Sequence, residues 1–217
     1  MTTPTVLKID FVSDVSCPWC AIGLNGLQTA LQRLDGSVQA ELHFQPFELN
    51  PQMGPEGQDI TEHLAQKYGA TPEQSAANRE AIRQRGASVG FAFNMAARDR
   101  IYNTFDAHRL LHWAEGEGRQ LALKKALFDA YFGAGRNPSD PAVLVELAAA
   151  VGLDADRAQA ILASDEFAGE VRDQEAFYQQ HGINSVPAVI INERHLIQGG
   201  QPPEVFEQAL RQIAAGA

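Results

Sequence analysis

Ser16-Cys17-Pro18-Trp19-Cys20 is the stretch that decides how this chain is read, and it holds both cysteines of the protein. Upstream, Val6 to Val12 reads as a short strand with Leu7, Ile9 and Phe11 on one face. Downstream, Cys20, Leu24, Leu27, Leu31 and Leu34 recur at spacings of three and four, the period of a helix with one buried face. The two thiols therefore open a helix directly after a strand. A first helical turn has N–H groups without partners and a partial positive charge. Both favour a thiolate, the nucleophilic form of cysteine. Cys17 comes first and is expected on an exposed tip. Cys20 lies about one turn further in, on the apolar stripe, and is expected to be the covered partner. That division suits thiol–disulfide exchange: Cys17 carries a mixed disulfide and Cys20 resolves it. Pro18 costs nothing in a first turn, where its N–H would lack a partner anyway. Trp19 is expected to shield the pair and offer a flat apolar contact to a substrate, and Asp14 or Ser16 to cap the helix. The same spacing also fits half of a zinc site, or two inert cysteines. No second Cys-x-x-Cys or Cys/His cluster follows at finger spacing.

Composition narrows the field. A chain of 217 residues, 45% hydrophobic and 20% charged, suffices for one sizeable domain or one domain carrying an insertion. Two cysteines in that length argue against a disulfide-stapled secreted scaffold. Met1-Thr2-Thr3-Pro4-Thr5 shows no basic region before an apolar core, and no run reaches membrane-spanning length. The expectation is a cytoplasmic protein with no membrane partner, where a dithiol is catalytic or redox-sensing. A net charge of −10 with no basic block makes nucleic acid and anionic membranes poor partners.

Working outward, Gln39 to Phe47 reads as a second strand, which gives strand, helix, strand with parallel pairing. Asn50 to Gly57 is a loop rich in breakers. From about Ile60 to Ser164 the period is helical and no strand is expected. Thr71-Pro72-Glu73-Gln74 and Asp140-Pro141 mark helix starts. A helix over about Asp165 to His181 follows, then a buried strand over Ser185 to Ile191. A short strand from His195 to Ile197 and a final amphipathic helix with Phe206, Ala209, Leu210 and Ile213 on one face close the chain. The expected organisation is an α/β N-terminal part over residues 1–56, a large all-helical insertion over 57–164, and an α-β-β-α C-terminal part over 165–217.

This order, with a Cys-x-x-Cys opening the first helix and a proline at the start of a late strand, resembles the thioredoxin fold with a helical insertion of the DsbA class. The strings Asp14-Val15-Ser16-Cys17-Pro18-Trp19-Cys20, Pro46-Phe47-Glu48-Leu49-Asn50-Pro51, Asn103-Thr104-Phe105-Asp106-Ala107-His108-Arg109-Leu110 and Gly199-Gly200-Gln201-Pro202 resemble the FrnE-like DsbA-family oxidoreductases. These are related to 2-hydroxychromene-2-carboxylate isomerases and kappa-class glutathione transferases. The resemblance implies that Pro187 is a cis-proline facing the dithiol and that Val186 presents its backbone to a bound substrate in a short strand-like pairing. It further implies that Asn103 and Thr104, which by themselves read most simply as an N-cap pair, border the cleft; His108, Glu48 and Gly199 are further candidates for it. Cys17 stands where the isomerase and transferase relatives use serine, which favours disulfide chemistry over glutathione-dependent isomerisation. Pro18-Trp19 differs from the Pro-His pair of the periplasmic oxidants, so a strongly oxidising role does not carry over. The resemblance points to protein or low-molecular-weight thiols and disulfides as substrates, glutathione as a co-substrate, no metal or bound organic cofactor, and a homodimer.

Other residues leave alternatives open. His108 and His112, four apart on one helix face, could hold a metal, face the dithiol, or simply pack; the Glu of a His-Glu-x-x-His motif is missing. Glu48 fits either a buried proton acceptor for Cys20 or a solvent-facing strand end. A rival activity is a glutathione-dependent isomerase, and a third reading is a non-catalytic binding module. Arg98, Asp99 and Arg100 read as a solvated charged loop. Gly23 and Gly26 lower helix propensity, and close packing against the sheet or the inserted helices would explain them.

Overall fold

Thr5–Ser13 form β1, the centre of the molecule. It pairs in parallel with β2 (Val38–Pro46) along its whole length, from Thr5 opposite Val38 to Ser13 opposite Pro46. On its other side it pairs antiparallel with β5 (Ala188–Ile191), which in turn pairs antiparallel with the edge strand β6 (His195–Gln198). The sheet order is β2-β1-β5-β6. Flanked on both edges, β1 buries Leu7, Ile9, Phe11 and Val12 completely, which is why its sequence reads as a near-continuous apolar run. The computed structural model describes residues 4–54 and 56–216. Expectations that fall on residues 1–3, Pro55 and Ala217 lie outside them.

Helix α1 (Pro18–Arg33) connects β1 to β2 and packs with α9 (Pro203–Ala215). Between β2 and β5 run α2 (Ile60–Tyr68), α3 (Pro72–Ser88), α4 (Phe105–Gly116), α5 (Gln120–Phe128), a π-helical turn (Asp129–Gly133), α6 (Pro141–Ala150), α7 (Ala155–Leu162) and α8 (Ala168–Gln180). The start signals act as expected. Thr71 and Gln74 form a reciprocal capping box, and the Asp140 carboxylate accepts from the Ala142 N–H at 2.9 Å. Two expectations need correction. This segment does contain strand: β3 (Gln58–Asp59) pairs antiparallel with β4 (Arg100–Ile101), a ladder too short to carry a sequence period. And neither Asp14 nor Ser16 caps α1. The cap residue is Cys17 itself, with no side-chain cap bond.

The insertion has its own core, where Leu110, Leu111 and Ala114 of α4 meet Leu123, Leu127, Leu144, Ala158 and Ile161. It is also fastened to the sheet. The Gln120 amide accepts from the Phe44 N–H at 2.9 Å and donates to the Phe44 carbonyl at 3.0 Å, satisfying both backbone groups of a β2 residue from α5.

The glycines of α1 mark where the C-terminal part of the chain closes on it. A β-carbon at Gly23 would stand 3.1 Å from Pro187 Cγ and 3.4 Å from Gly200 Cα; at Gly26 it would stand 2.7 Å from the Gln201 carbonyl oxygen. The close packing is therefore against the loops around β5 and β6 and against α9. Gly26→Ala is expected to destabilise the protein by about 1–3 kcal/mol through overpacking, despite alanine's better helix propensity. Urea unfolding checks this.

Candidate active site

The strand-to-helix junction after β1 is fixed by a buried carboxylate. Asp14 is 0% exposed. It accepts from the Ser16 N–H (3.1 Å), the Ser16 hydroxyl (3.0 Å) and the Leu49 N–H (2.7 Å). His108 Nε2 stands 3.7 Å away, farther than a hydrogen bond. Burial pushes the Asp14 carboxyl up, but His108 and the donated N–H groups of Leu49 and Ser16 outweigh it and hold the group at about 2. The turn that presents Cys17 is thus clamped by a permanent anion.

Cys17 and Cys20 are free thiols within contact of each other. Cys17 is 4% exposed, and its Sγ lies 3.7 Å from the Val186 carbonyl oxygen as a weak donor. It does not stand on an open tip, as the helix-start position had suggested. It lies at the floor of a cleft of about 630 Å³ walled by Trp19, His63, Arg79, Arg98 and Val186, because α2 and α3 arch over it. Cys20 is 0% exposed, one turn behind. Burial first, and then the adjacent Cys17 sulfur, push its thiol up; Lys124 pulls the other way.

The Val186–Pro187 peptide bond is cis. The Pro187 carbonyl accepts from the Gly199 N–H at 2.8 Å, and Gly199 takes a φ of 82° that favours glycine. Gly199 thus positions the proline loop. Gly200 has no room for a β-carbon, which would stand 2.8 Å from the Trp19 carbonyl oxygen. Pro18, Trp19, Val186 and Pro187 are therefore gathered around the dithiol.

Five candidates for the cleft do not line it: Gly199, placed in the proline loop, and Asn103, Thr104, His108 and Glu48. Asn103 accepts from the Phe105 N–H at 2.8 Å and serves the start of α4. His108 is buried behind Asp14 and does not line the cleft. Glu48 is buried but ion-paired with Arg172, which also holds Glu175 at 2.7 Å. Buried and paired in this way, Glu48 is not a solvent-facing strand end. Among the described residues, no group of three or more His, Cys, Asp or Glu side chains is arranged to hold a metal ion. His112 packs on the Phe167 ring at 5.2 Å.

Two basic residues escaped the sequence reading. Arg98 turns inward: its guanidinium lies 5.0 and 5.1 Å from the Tyr131 and Phe132 rings of the π-helical turn and reaches the Ser16 carbonyl at 3.5 Å. Lys124 of α5 is 0% exposed. Desolvation brings its amine down to about 8, against the opposing pull of Cys20, Asp14 and Cys17. The signal for Lys124 was its place between Leu123 and Leu127 on the buried face of α5.

A parallel βαβ unit joined to a β-hairpin, with a dithiol at a helix start facing a cis-proline, defines a thioredoxin-fold dithiol protein. A long helical insertion narrows that class. The chain belongs to the DsbA-like thioredoxin domain family, whose model matches residues 8–211. Among solved structures, a probable DsbA oxidoreductase, SCO1869, from Streptomyces coelicolor is 37% identical, with 97% of this chain and 90% of that one covered and a TM-score of 0.88. The cytosolic disulfide reductase DsbM from Pseudomonas aeruginosa, solved with GSH, shares the fold at 18% identity, 96% and 99% coverage and a TM-score of 0.66. A 2-hydroxychromene-2-carboxylate isomerase shares it at 13% identity, 96% and 97% coverage and a TM-score of 0.72. No curated protein matches the chain closely enough to count as a relative.

Proposed function

We propose that the protein is a FrnE-like thiol–disulfide oxidoreductase that exchanges electrons with peptide-like disulfides, glutathione disulfide among them. The carrying observation is Cys17 Sγ at the floor of the cleft, 3.7 Å from the Val186 carbonyl, with Cys20 buried directly behind it. Cys17 attacks a substrate sulfur and forms a mixed disulfide; the first substrate thiolate leaves. Cys20 then attacks Cys17, and the second substrate thiolate departs with the electron pair. Val186 offers its backbone edge to the substrate chain, and Trp19 forms one lip of the groove. Among the described residues, no helix is long and apolar enough to cross a membrane. We place the reaction in the cytoplasm, with glutathione or a protein thiol returning the dithiol to its reduced state and no further cofactor; a homodimer is the assembly we propose.

The test is turnover. The purified protein is expected to accelerate reduction of insulin by dithiothreitol and of oxidised glutathione by excess thiol. Failure with both substrates overturns the reading. Arg79 and Arg98 make the cleft wall cationic, which suits the carboxylates of glutathione. Arg98→Met is expected to raise KM for oxidised glutathione about tenfold, the equivalent of about 1.4 kcal/mol, and to raise it clearly less for uncharged 2-hydroxyethyl disulfide. An equal rise for both would deny Arg98 a charge-recognition role.

A further inference from the structure

The Cys20 thiol is fully buried and held protonated by its surroundings, yet it must lose its proton to resolve a mixed disulfide. Lys124 Nζ is the buried amine whose charge acts on it, and the Phe44 and Phe128 rings beside that amine belong to the same core as Cys20. The amine bonds to no protein group among the described residues, and the two rings lie 5.9 and 5.1 Å from it. The titratable groups that act on it are Cys20 and Cys17 around the start of α1 and Asp14 in the turn before it. Lys124 also lines a cavity of about 10 Å³ together with His108, His112, Gln45 and Gln174, room for about one water molecule. His108 Nε2 and His112 Nδ1, like Lys124 Nζ, have no protein hydrogen-bond partner among the described residues. His112 stands one turn beyond His108 on α4 and is half-buried. A buried ammonium without hydrogen bonds is costly.

We propose that Lys124 is the proton partner of Cys20, taking the thiol proton as Cys20 attacks the mixed disulfide and passing it outward through the cavity shared with His108 and His112. This rests on the exchange reading above. In the step, the Cys20 S–H bond breaks and its proton moves to the neutral Lys124 amine. The Cys20 sulfur bonds to Cys17 Sγ, and the bond between Cys17 and the substrate sulfur breaks. The substrate leaves as a thiolate with two electrons, and the two protein sulfurs are left oxidised as a disulfide. No sulfur anion then holds the ammonium. Burial acts on it with less opposition, and the proton leaves. An amine brought near neutrality has the affinity such a relay needs.

The two steps can be followed separately by mixing the full-length reduced protein with oxidised glutathione, quenching with acid and counting mixed-disulfide and disulfide forms by mass spectrometry. Lys124→Met is expected to slow the second step about a hundredfold at neutral pH, at least tenfold more than the first. Its second-step rate should keep climbing about tenfold per pH unit through pH 9, because burial holds the Cys20 thiol above its ordinary range, where the parent levels off near pH 8. Lys124→Arg keeps a charge but cannot release a proton, and should stay slow. A parental pH profile in Lys124→Met, or a parental rate in Lys124→Arg, overturns the proposal. If Lys124→Met does not fold, His112→Gln carries the test: a second step slowed several-fold supports the relay and an unchanged one overturns it. Absence of both steps in the unaltered protein would instead refute the exchange reading.

Discussion

Cys17→Ser is expected to bring disulfide exchange down to the uncatalysed rate, the largest loss from any single substitution in this chain. A serine hydroxyl is not ionised near neutral pH and cannot form the sulfur–sulfur bond on which both half-reactions depend. Cys17, at the cleft floor, is the sulfur a substrate can reach; Cys20 is fully enclosed. The second variant gives the complementary result. Cys20→Ser is expected to retain the first attack and then accumulate glutathione on Cys17, close to one per chain by mass spectrometry. Glutathione trapped on residue 20 would reverse the assigned roles. An isomerase that needs only a hydroxyl at position 17 would survive Cys17→Ser, so retained isomerisation of a 2-hydroxychromene-2-carboxylate together with absent exchange would select the rival activity.

Asp14→Ala is expected to cost about 3–5 kcal/mol in urea unfolding at neutral pH, the second large effect. The carboxylate satisfies the Ser16 N–H, the Ser16 hydroxyl and the Leu49 N–H, and each buried donor left without a partner costs about 1–3 kcal/mol. The pH dependence has a definite sign. The Asp14 carboxyl sits at about 2 in the folded chain against an ordinary 3.8, so the unfolded chain binds the proton first as pH falls. The stabilisation is therefore complete above about pH 4 and is lost progressively between about pH 4 and 2, about 2 kcal/mol in all. In Asp14→Asn this acid-sensitive share should vanish, leaving the stabilities of parent and variant closer at pH 3 than at pH 7. An undiminished gap at pH 3 would mean that the carboxylate's charge is not what matters.

The frame was legible because local signals agreed with the global arrangement. The apolar run of β1, the period of α1, the Thr71–Gln74 box and the breaker-rich loop from Asn50 each pointed to the structure that forms. The dithiol and the Val186–Pro187 pair were legible too, the latter only through family resemblance, since a chain pattern carries no mark of a cis bond. What stayed hidden were the charges that turn inward. Lys124 shows in sequence only its place between Leu123 and Leu127, and what it faces depends on Gln120 holding the backbone of Phe44 some eighty positions earlier in the chain. Arg98 reads as part of a charged loop because its aromatic shelf, Tyr131 and Phe132, comes from a turn more than thirty positions later. Glu48 shows no sequence sign of Arg172. In each case the partner is remote, and local pattern cannot name it.

The clasp between Gln120 and Phe44 makes the added helices more than an ornament on an older frame. They lend the redox pair an amine from a part of the chain that a minimal version of the fold does not possess. Pruning the segment to a tight turn would therefore yield a different reagent and not merely a smaller one, and grafting it onto a bare relative would carry its chemistry along.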